Sequence, residues 1–174
     1  ITRRRGVAHL IEAVRRIHCG EAPPGEARVR LLIVGEGPAR DDLATQSERA
    51  GLGHRVRFTG PREDLPDLMA AMDVYVHPSA EAGGFPVALR EAMALALPVV
   101  ATDLMGIREI LDNGRHGLIT PVAEPEALAR NILRMRRDPA LASACGRLAR
   151  LKAQRYATVA RINRAEELYL RLIR

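Results

Sequence analysis

The sequence predicts an α/β domain in three layers, αβα, around a parallel sheet. Two observations carry this. Five short strand-like runs alternate with helix-patterned runs along the chain, and such alternation builds βαβ units whose strands lie parallel. The run VRLLIVG is β-rich and closed by glycine, which suits a strand buried on both faces. A length of 174 residues is enough for one such domain with a sizeable core.

The elements follow in order. GVAHLIEAVRRI places Val7, Leu10, Ile11, Val14 and Ile17 at helical spacing. A loop, GEAPPGEA, leads to the strand VRLLIVG. Residues 39–50 read as a polar helix, RVRFTG as the second strand and DLPDLMAAM as a short helix. VYVHP is the third strand, and the helix after it runs from Pro86 to about Leu97. PVVAT is the fourth strand, GIREIL a short helix, GLIT the fifth strand and PEALARNILRMRR a helix. Residues 139–174 form a helical tail. A doubly wound sheet ordinarily begins with a strand, whereas this chain opens on a helix and on Ile1. The chain is therefore expected to be cut from something longer, with a central strand lying before it.

Composition narrows the class. Hydrophobic residues make up 47% and charged residues 28%, as in globular proteins. No apolar run reaches the roughly 18 residues of a membrane helix, and the start has no signal-peptide core. Two cysteines, Cys19 and Cys145, make no disulfide framework. They read as small packing residues in a reducing, cytoplasmic setting. The net charge is +6, but it is uneven. From Arg134 onward eleven basic residues face three acidic ones, and Lys152 is the only lysine in the chain. That basic end is either solvated, or paired with a missing part of the protein, or a peripheral contact for an inner membrane face. Aromatics at 3% and the lack of a recognition motif argue against nucleic acid.

Ligands of parallel α/β sheets bind beyond the carboxyl ends of the strands. That rule points to Gly35–Pro38, Thr59–Arg62, His77–Pro86, Thr102–Gly106 and Thr120–Val122. The third of these holds SAEAGGFPVALREAM, Ser79 to Met93. Proline is comfortable at a first helical turn, so Gly84 and Phe85 read as the cap region. The free amides of Phe85, Val87 and Ala88 then attract anions, and the glycines let a ligand approach the backbone. On the helix, Leu89, Ala92, Met93 and Ala96 form the apolar stripe. Glu91 falls off it. Read from the helix pattern, Glu91 is either a plain exposed glutamate or a carboxylate that accepts from a vicinal diol. GEGP (Gly35–Pro38) is not a dinucleotide fingerprint. His9, His18, His54, His77 and His116 show no metal spacing; His77, at a strand end, is a candidate polar contact.

Seven stretches, in order, carry a resemblance: RRGVAHLIEAV, LLIVGEGPARDDL, GLGHRVRFTG, LMAAMDVYVHPS, GGFPVALREAMALALPVVATD, GIREILDNGRHGLITP and PEALARNIL. Together they resemble the C-terminal, donor-binding half of a GT-B fold glycosyltransferase of family 4 (glycosyl transferase group 1). The resemblance implies a Rossmann-like domain over residues 1–174, without its first strand and its N-terminal acceptor domain. It implies a hexosyltransferase that takes a UDP- or GDP-sugar donor and retains anomeric configuration, with no cofactor and no metal. The acceptor, a sugar, a lipid or another molecule, would bind through the missing domain, so the fragment alone is expected to be inactive.

The resemblance also assigns roles. Arg5 stands where the family usually has lysine before glycine and would grip the donor diphosphate, bidentately if need be. The backbone of Gly84, Phe85, Pro86 and Val87 would hold sugar hydroxyls and phosphate oxygens. Glu91 would be the second glutamate of the family's E-x7-E pattern and bind the ribose hydroxyls. Arg62 would border the base. The chain departs from the pattern at the first glutamate, where Gly83 stands, and the nearest carboxylate is Glu81. Glu81 is accordingly the candidate catalytic residue. The family's Gly-Arg pair after the first strand is absent, and its double glycine after Asp103 reads Met105-Gly106. A non-catalytic relative, keeping the Rossmann-like fold as an interaction or nucleotide-binding module, stays open as the alternative.

Overall fold

The computed structural model describes residues 1–21, 29–81 and 86–156. Its strands are β1 (Leu31–Ile33), β2 (Val56–Phe58), β3 (Tyr75–His77), β4 (Val99–Thr102) and β5 (Leu118–Thr120). The helices are α1 (Val7–Arg16), α2 (Arg40–Arg49), α3 (Leu65–Ala70), α4 (Val87–Ala94), α5 (Ile107–Ile110), α6 (Pro125–Arg137) and α7 (Pro139–Gln154). Every expected strand and helix up to Gln154 is present, with strands shorter than their sequence runs. Residues 157–174, the rest of the expected tail, lie outside the described residues.

All strand pairs are parallel: β1 with β2, then β3, β4 and β5 in that order. β4 is buried at all four of its residues. Its alternate side chains enter different layers, because successive residues of a strand face opposite sides. Val100 joins Leu118 and residues of α1, α2 and α6 in one core. Val99 and Ala101 join Met69 of α3, Leu89, Ala92 and Met93 of α4, and Ile107 and Ile110 of α5 in the other. Helices thus cover both faces, which is the three-layer αβα arrangement the sequence implies.

Among the described residues, no strand pairs with both β1 and β3. The two parts of the sheet are joined instead under α1. The stripe Leu10, Ile11, Val14 and Ile17 is buried in one cluster with Leu31, Ile33 and Val56 from the first part and Val74, Val76, Val100 and Leu118 from the second. Apolar burial contributes on the order of 25 cal/mol per Å2, so this shared cluster substitutes for a continuous ladder between the two parts.

Three local expectations need correction. Cys145 is buried, but Cys19 is exposed. Position 19 falls off the buried stripe of Leu10, Ile11, Val14 and Ile17, and after Arg16 the chain leaves the α-helix through a π turn, Ile17–Glu21, in which Gly20 has φ 146°. α4 stops at Ala94 rather than near Leu97, and Ala96 turns left-handed at φ 58° and is half-buried. Pro86 is the N-cap residue, not the first helical one, with φ −76° and ψ 99°.

The early stop of α4 has a packing partner. Gly146 of α7 is buried, and a Cβ there would run into the carbonyl oxygen of Ala96. α7 is also tied to the loop before β5: Lys152 donates to Asp112 Oδ1 at 3.0 Å, and the Cys145 thiol lies 3.7 Å from the Gly114 carbonyl oxygen. Gly146→Ala is expected to destabilise the domain by about 1–3 kcal/mol through overpacking against backbone. Urea unfolding of the variant and the wild type measures this, and an unchanged midpoint would refute it.

Candidate functional site

The segment Ile1–Gly6 crosses the carboxyl ends of the strands. Ile1 sits against Glu36 and Gly37, beyond β1: its amino group contacts the Glu36 carbonyl, and the Ile1 carbonyl accepts from Ala39 N–H at 3.3 Å. Farther along, the Arg4 carbonyl accepts from Ala80 N–H at 2.8 Å and from Glu81 N–H at 3.4 Å, beyond β3. Gly6 closes this bridge. It has φ +65°, and its missing Cβ would overlap the Pro78 carbonyl. Glycine meets both demands, the left-handed backbone and the close approach.

Arg3, Arg4 and Arg5 form one 3-10 turn, in which successive side chains point about a third of a turn apart. Arg3 pairs with Asp42 at 3.4 Å and Arg4 with Glu81 at 3.0 Å. Arg5 pairs with no carboxylate among the described residues, and its charge acts on Tyr75 and His77. Tyr75 and His77 share one face of β3, two residues apart, on the side covered by α4. The Tyr75 hydroxyl is pushed up to about 12, first by burial and then by the negative charge of Glu91, while Arg5 opposes this. Arg5 and Glu91 therefore both lie within electrostatic reach of one half-buried phenol. Glu91 itself is exposed on α4, off the buried stripe of Leu89, Ala92 and Met93.

A buried polar network underlies this cation. His77 Nε2 and the Ser79 hydroxyl share a hydrogen bond at 3.2 Å. The Thr102 hydroxyl, at the end of β4, donates to the Ser79 carbonyl at 2.6 Å. His77, Ser79 and Thr102 are all buried. Burial first, and the Arg5 charge second, depress the His77 imidazole to about 4, so it is neutral at neutral pH. A neutral ring beneath Arg5 adds no competing positive charge.

The other predicted residues divide. Val87 is exposed at the start of α4 and Pro86 caps it, so both border the same strand ends. Gly84 and Phe85, and Gly83 with them, lie outside the described residues. Arg62 is held by Asp64 through a bidentate pair at 2.6 and 2.7 Å. It lines a cleft of about 350 Å3 with Leu32, Arg57, Phe58, Thr59 and Leu68, and no contact joins it to Arg5 or Glu91. In the loop after β4, Arg108 grips Asp103 at 2.5 and 2.8 Å, and Met105 is 88% exposed. Sequence reasoning missed Arg4, Tyr75, Ser79 and Thr102. The period-2 alternation of VYVHPS offered a signal for two of them, since it sets Tyr75 beside His77 on one face.

The comparisons with known proteins show the family and the fold. The family described as "Glycosyl transferases group 1" matches residues 1–138. The chain belongs to that family. It is 32% identical over 168 residues to an exopolysaccharide phosphotransferase of Streptomyces coelicolor, covering 96% of this chain and 17% of that protein. It is 33% identical over 144 residues to a 2-deoxystreptamine glucosyltransferase of Streptomyces kanamyceticus, covering 80% and 35%. Among solved structures, Anabaena HepE in complex with UDP-glucose superposes with a TM-score of 0.85 at 31% identity, covering 97% of this chain and 46% of that one. The chain thus spans less than half the length of each of these proteins. Its fold is that of the GT-B glycosyltransferases. Among the described residues, no helix is long and apolar enough to cross a membrane.

The neutral state of His77 in this group 1 domain has a measurable consequence. In the unfolded chain histidine takes up a proton near 6.5, whereas folded His77 does so near 4. Stability is expected to fall as pH drops between these values, by up to about 1.4 kcal/mol per pH unit for one such group. His18 and His116, also lowered chiefly by burial, add to the slope. Urea midpoints followed from about pH 7 to about pH 4 should decline less steeply in His77→Asn than in the wild type; parallel curves would disprove the assignment.

Proposed function

We propose that this chain is the donor-binding half of a retaining, metal-independent glycosyltransferase that uses a nucleotide-sugar. The observation that carries the reading is Arg5. It is the one arginine of its turn without a carboxylate partner among the described residues, held at the strand ends beside a neutral His77 and a half-buried Tyr75. An exposed arginine left without a carboxylate partner is suited to a diphosphate. Glu91, on the same side of α4, supplies the acceptor oxygens for a ribose diol. A relative bound to UDP-glucose supports a UDP-sugar as the donor.

In this reading the bond from the anomeric carbon to the diphosphate oxygen breaks, and a bond from the acceptor hydroxyl oxygen to the same carbon forms on the same face. The nucleoside diphosphate leaves with the electron pair, and its departing oxygen takes up the acceptor proton. Arg5 and the N-terminal amides of α4 stabilise the charge that grows on the leaving group. Glu81 is the carboxylate nearest the reacting sugar in sequence, Gly83 standing where the family places one. Arg62 and its cleft border the base. The acceptor binds a second domain outside this chain, and one further strand lies between β1 and β3, whose edges are unpaired toward each other among the described residues.

A second reading is a nucleotide-binding module without transfer, favoured by Gly83 and by the pairing of Glu81 with Arg4. Two measurements separate them. Isothermal titration with UDP-glucose should show binding weakened about tenfold, or about 1.4 kcal/mol, in each of Arg5→Ala and Glu91→Ala; unchanged affinity in both would sink the site. Sugar transfer by the intact protein decides between enzyme and module, since a module binds the donor and yields no glycoside.

A further inference from the structure

Arg4 is adjacent in sequence to the proposed phosphate ligand, yet its interactions lead elsewhere. Its Nε lies 3.0 Å from Glu81 Oε2. Its carbonyl accepts both Ala80 N–H and Glu81 N–H. One residue therefore holds the loop beyond β3 at three points, two on the backbone and one on the carboxylate. The side chains are 78% and 59% exposed, and an exposed pair of this kind contributes about 0–1 kcal/mol to stability. The pairing is too weak to be explained by folding. What it does constrain is the direction of Glu81.

That constraint has a place to act. The loop is anchored on its near side by buried Ser79, bonded to His77 and Thr102. Gly6 presses against Pro78 just before it. Glu81 is the last residue before Ala82–Phe85, and its carboxylate follows an anchored backbone with only its own side-chain torsions free. A carboxylate on two such torsions sweeps several ångströms unless a partner holds it. Arg4 is that partner, and it sits on the same turn as Arg5. Resting on the donor-binding reading above, we infer that Arg4 is a positioning residue. It orients Glu81 toward the sugar and fixes that orientation to the turn that holds the diphosphate through Arg5.

The inference separates Arg4 from Arg5 in kinetics. A donor ligand contributes to binding, so its loss raises KM; a residue that acts only through Glu81 lowers kcat and leaves donor KM alone. Misplacing a reacting group by about 1 Å costs on the order of 100-fold in rate. With the intact protein, UDP-glucose as donor and its acceptor, Arg4→Ala is expected to lower kcat by about 10- to 100-fold with donor KM within about twofold. Glu81→Gln should lose a similar factor, and the double variant no more than either alone, since both act through one carboxylate. Arg4→Lys should recover part of the loss because it keeps the charge. Circular dichroism melting should give all four variants the wild-type Tm. Three results would overturn the inference: an undiminished kcat in Arg4→Ala, losses that multiply in the double variant, or a raised donor KM at unchanged kcat, which would make Arg4 a donor ligand. A wild type that binds UDP-glucose but transfers nothing overturns this inference together with the enzymatic reading. A wild type that transfers, beside an equally active Arg4→Ala, overturns this inference alone.

Discussion

The close approach of Gly6 to the Pro78 carbonyl is the constraint on which the site depends. Two backbones meet there with no room for a side chain, at a φ that other residues avoid. The contact does two jobs at once. On one side it starts α1, whose apolar stripe holds both parts of the sheet in a single core. On the other it carries the arginine turn onto the carboxyl end of β3. Fold and site are thus tied at one residue. The cation that the site needs is set by the same contact that begins the helix the core needs.

Charge is sorted around that contact rather than merely concentrated. Three consecutive arginines would repel one another if left together. Arg3 and Arg4 are each answered by a carboxylate from a different element, Asp42 in the first turn of α2 and Glu81 in the loop after β3. Arg5 is left facing groups that do not neutralise it. Burial keeps His77 uncharged, and it keeps Tyr75 protonated well above neutral pH. The result is an exposed positive charge set over a buried, uncharged polar network, which leaves Arg5 available to an incoming anion. Burying histidine and tyrosine costs desolvation, offset for His77 by its hydrogen bond to Ser79.

Support from behind comes from α7. Lys152 bonds Asp112, the Tyr156 hydroxyl donates to the Glu109 carbonyl at 3.1 Å, and Gly146 lies against the turn that ends α4. The helix that bears Glu91 is therefore backed along its length by a second helix, close enough that one of the contacts is glycine to carbonyl. A single lysine in an arginine-rich chain finds its place here as a compact charge on a part-buried loop.

How much was legible differed between fold and site. The period-2 and period-3.6 patterns located each strand and helix up to Gln154, because apolar spacing reports directly which side of an element is buried. The seven ordered motifs led to the family, which the comparisons show. Element ends were less legible. Pro86 became a cap and α4 stopped at Ala94 with Gly146 packed against its end, each through a contact or a backbone angle that no local pattern records. Arg5 and Glu91 stood out in sequence by their motif positions, but their common reach to Tyr75 did not. Nor did the pairing of Arg4 with Glu81, or the chain of His77, Ser79 and Thr102. Most of these join residues far apart in sequence, Ser79 to Thr102 across 23 positions and Arg4 to Glu81 across 77, brought together when the strands lie side by side. By itself the sequence determined the layers, the family and which residue types were on hand. Only the tertiary structure decided which arginine was left unpaired, which carboxylate was held, and which histidine was neutral. Pairing and burial are properties of neighbours in space, and the chain acquires those only when the sheet forms.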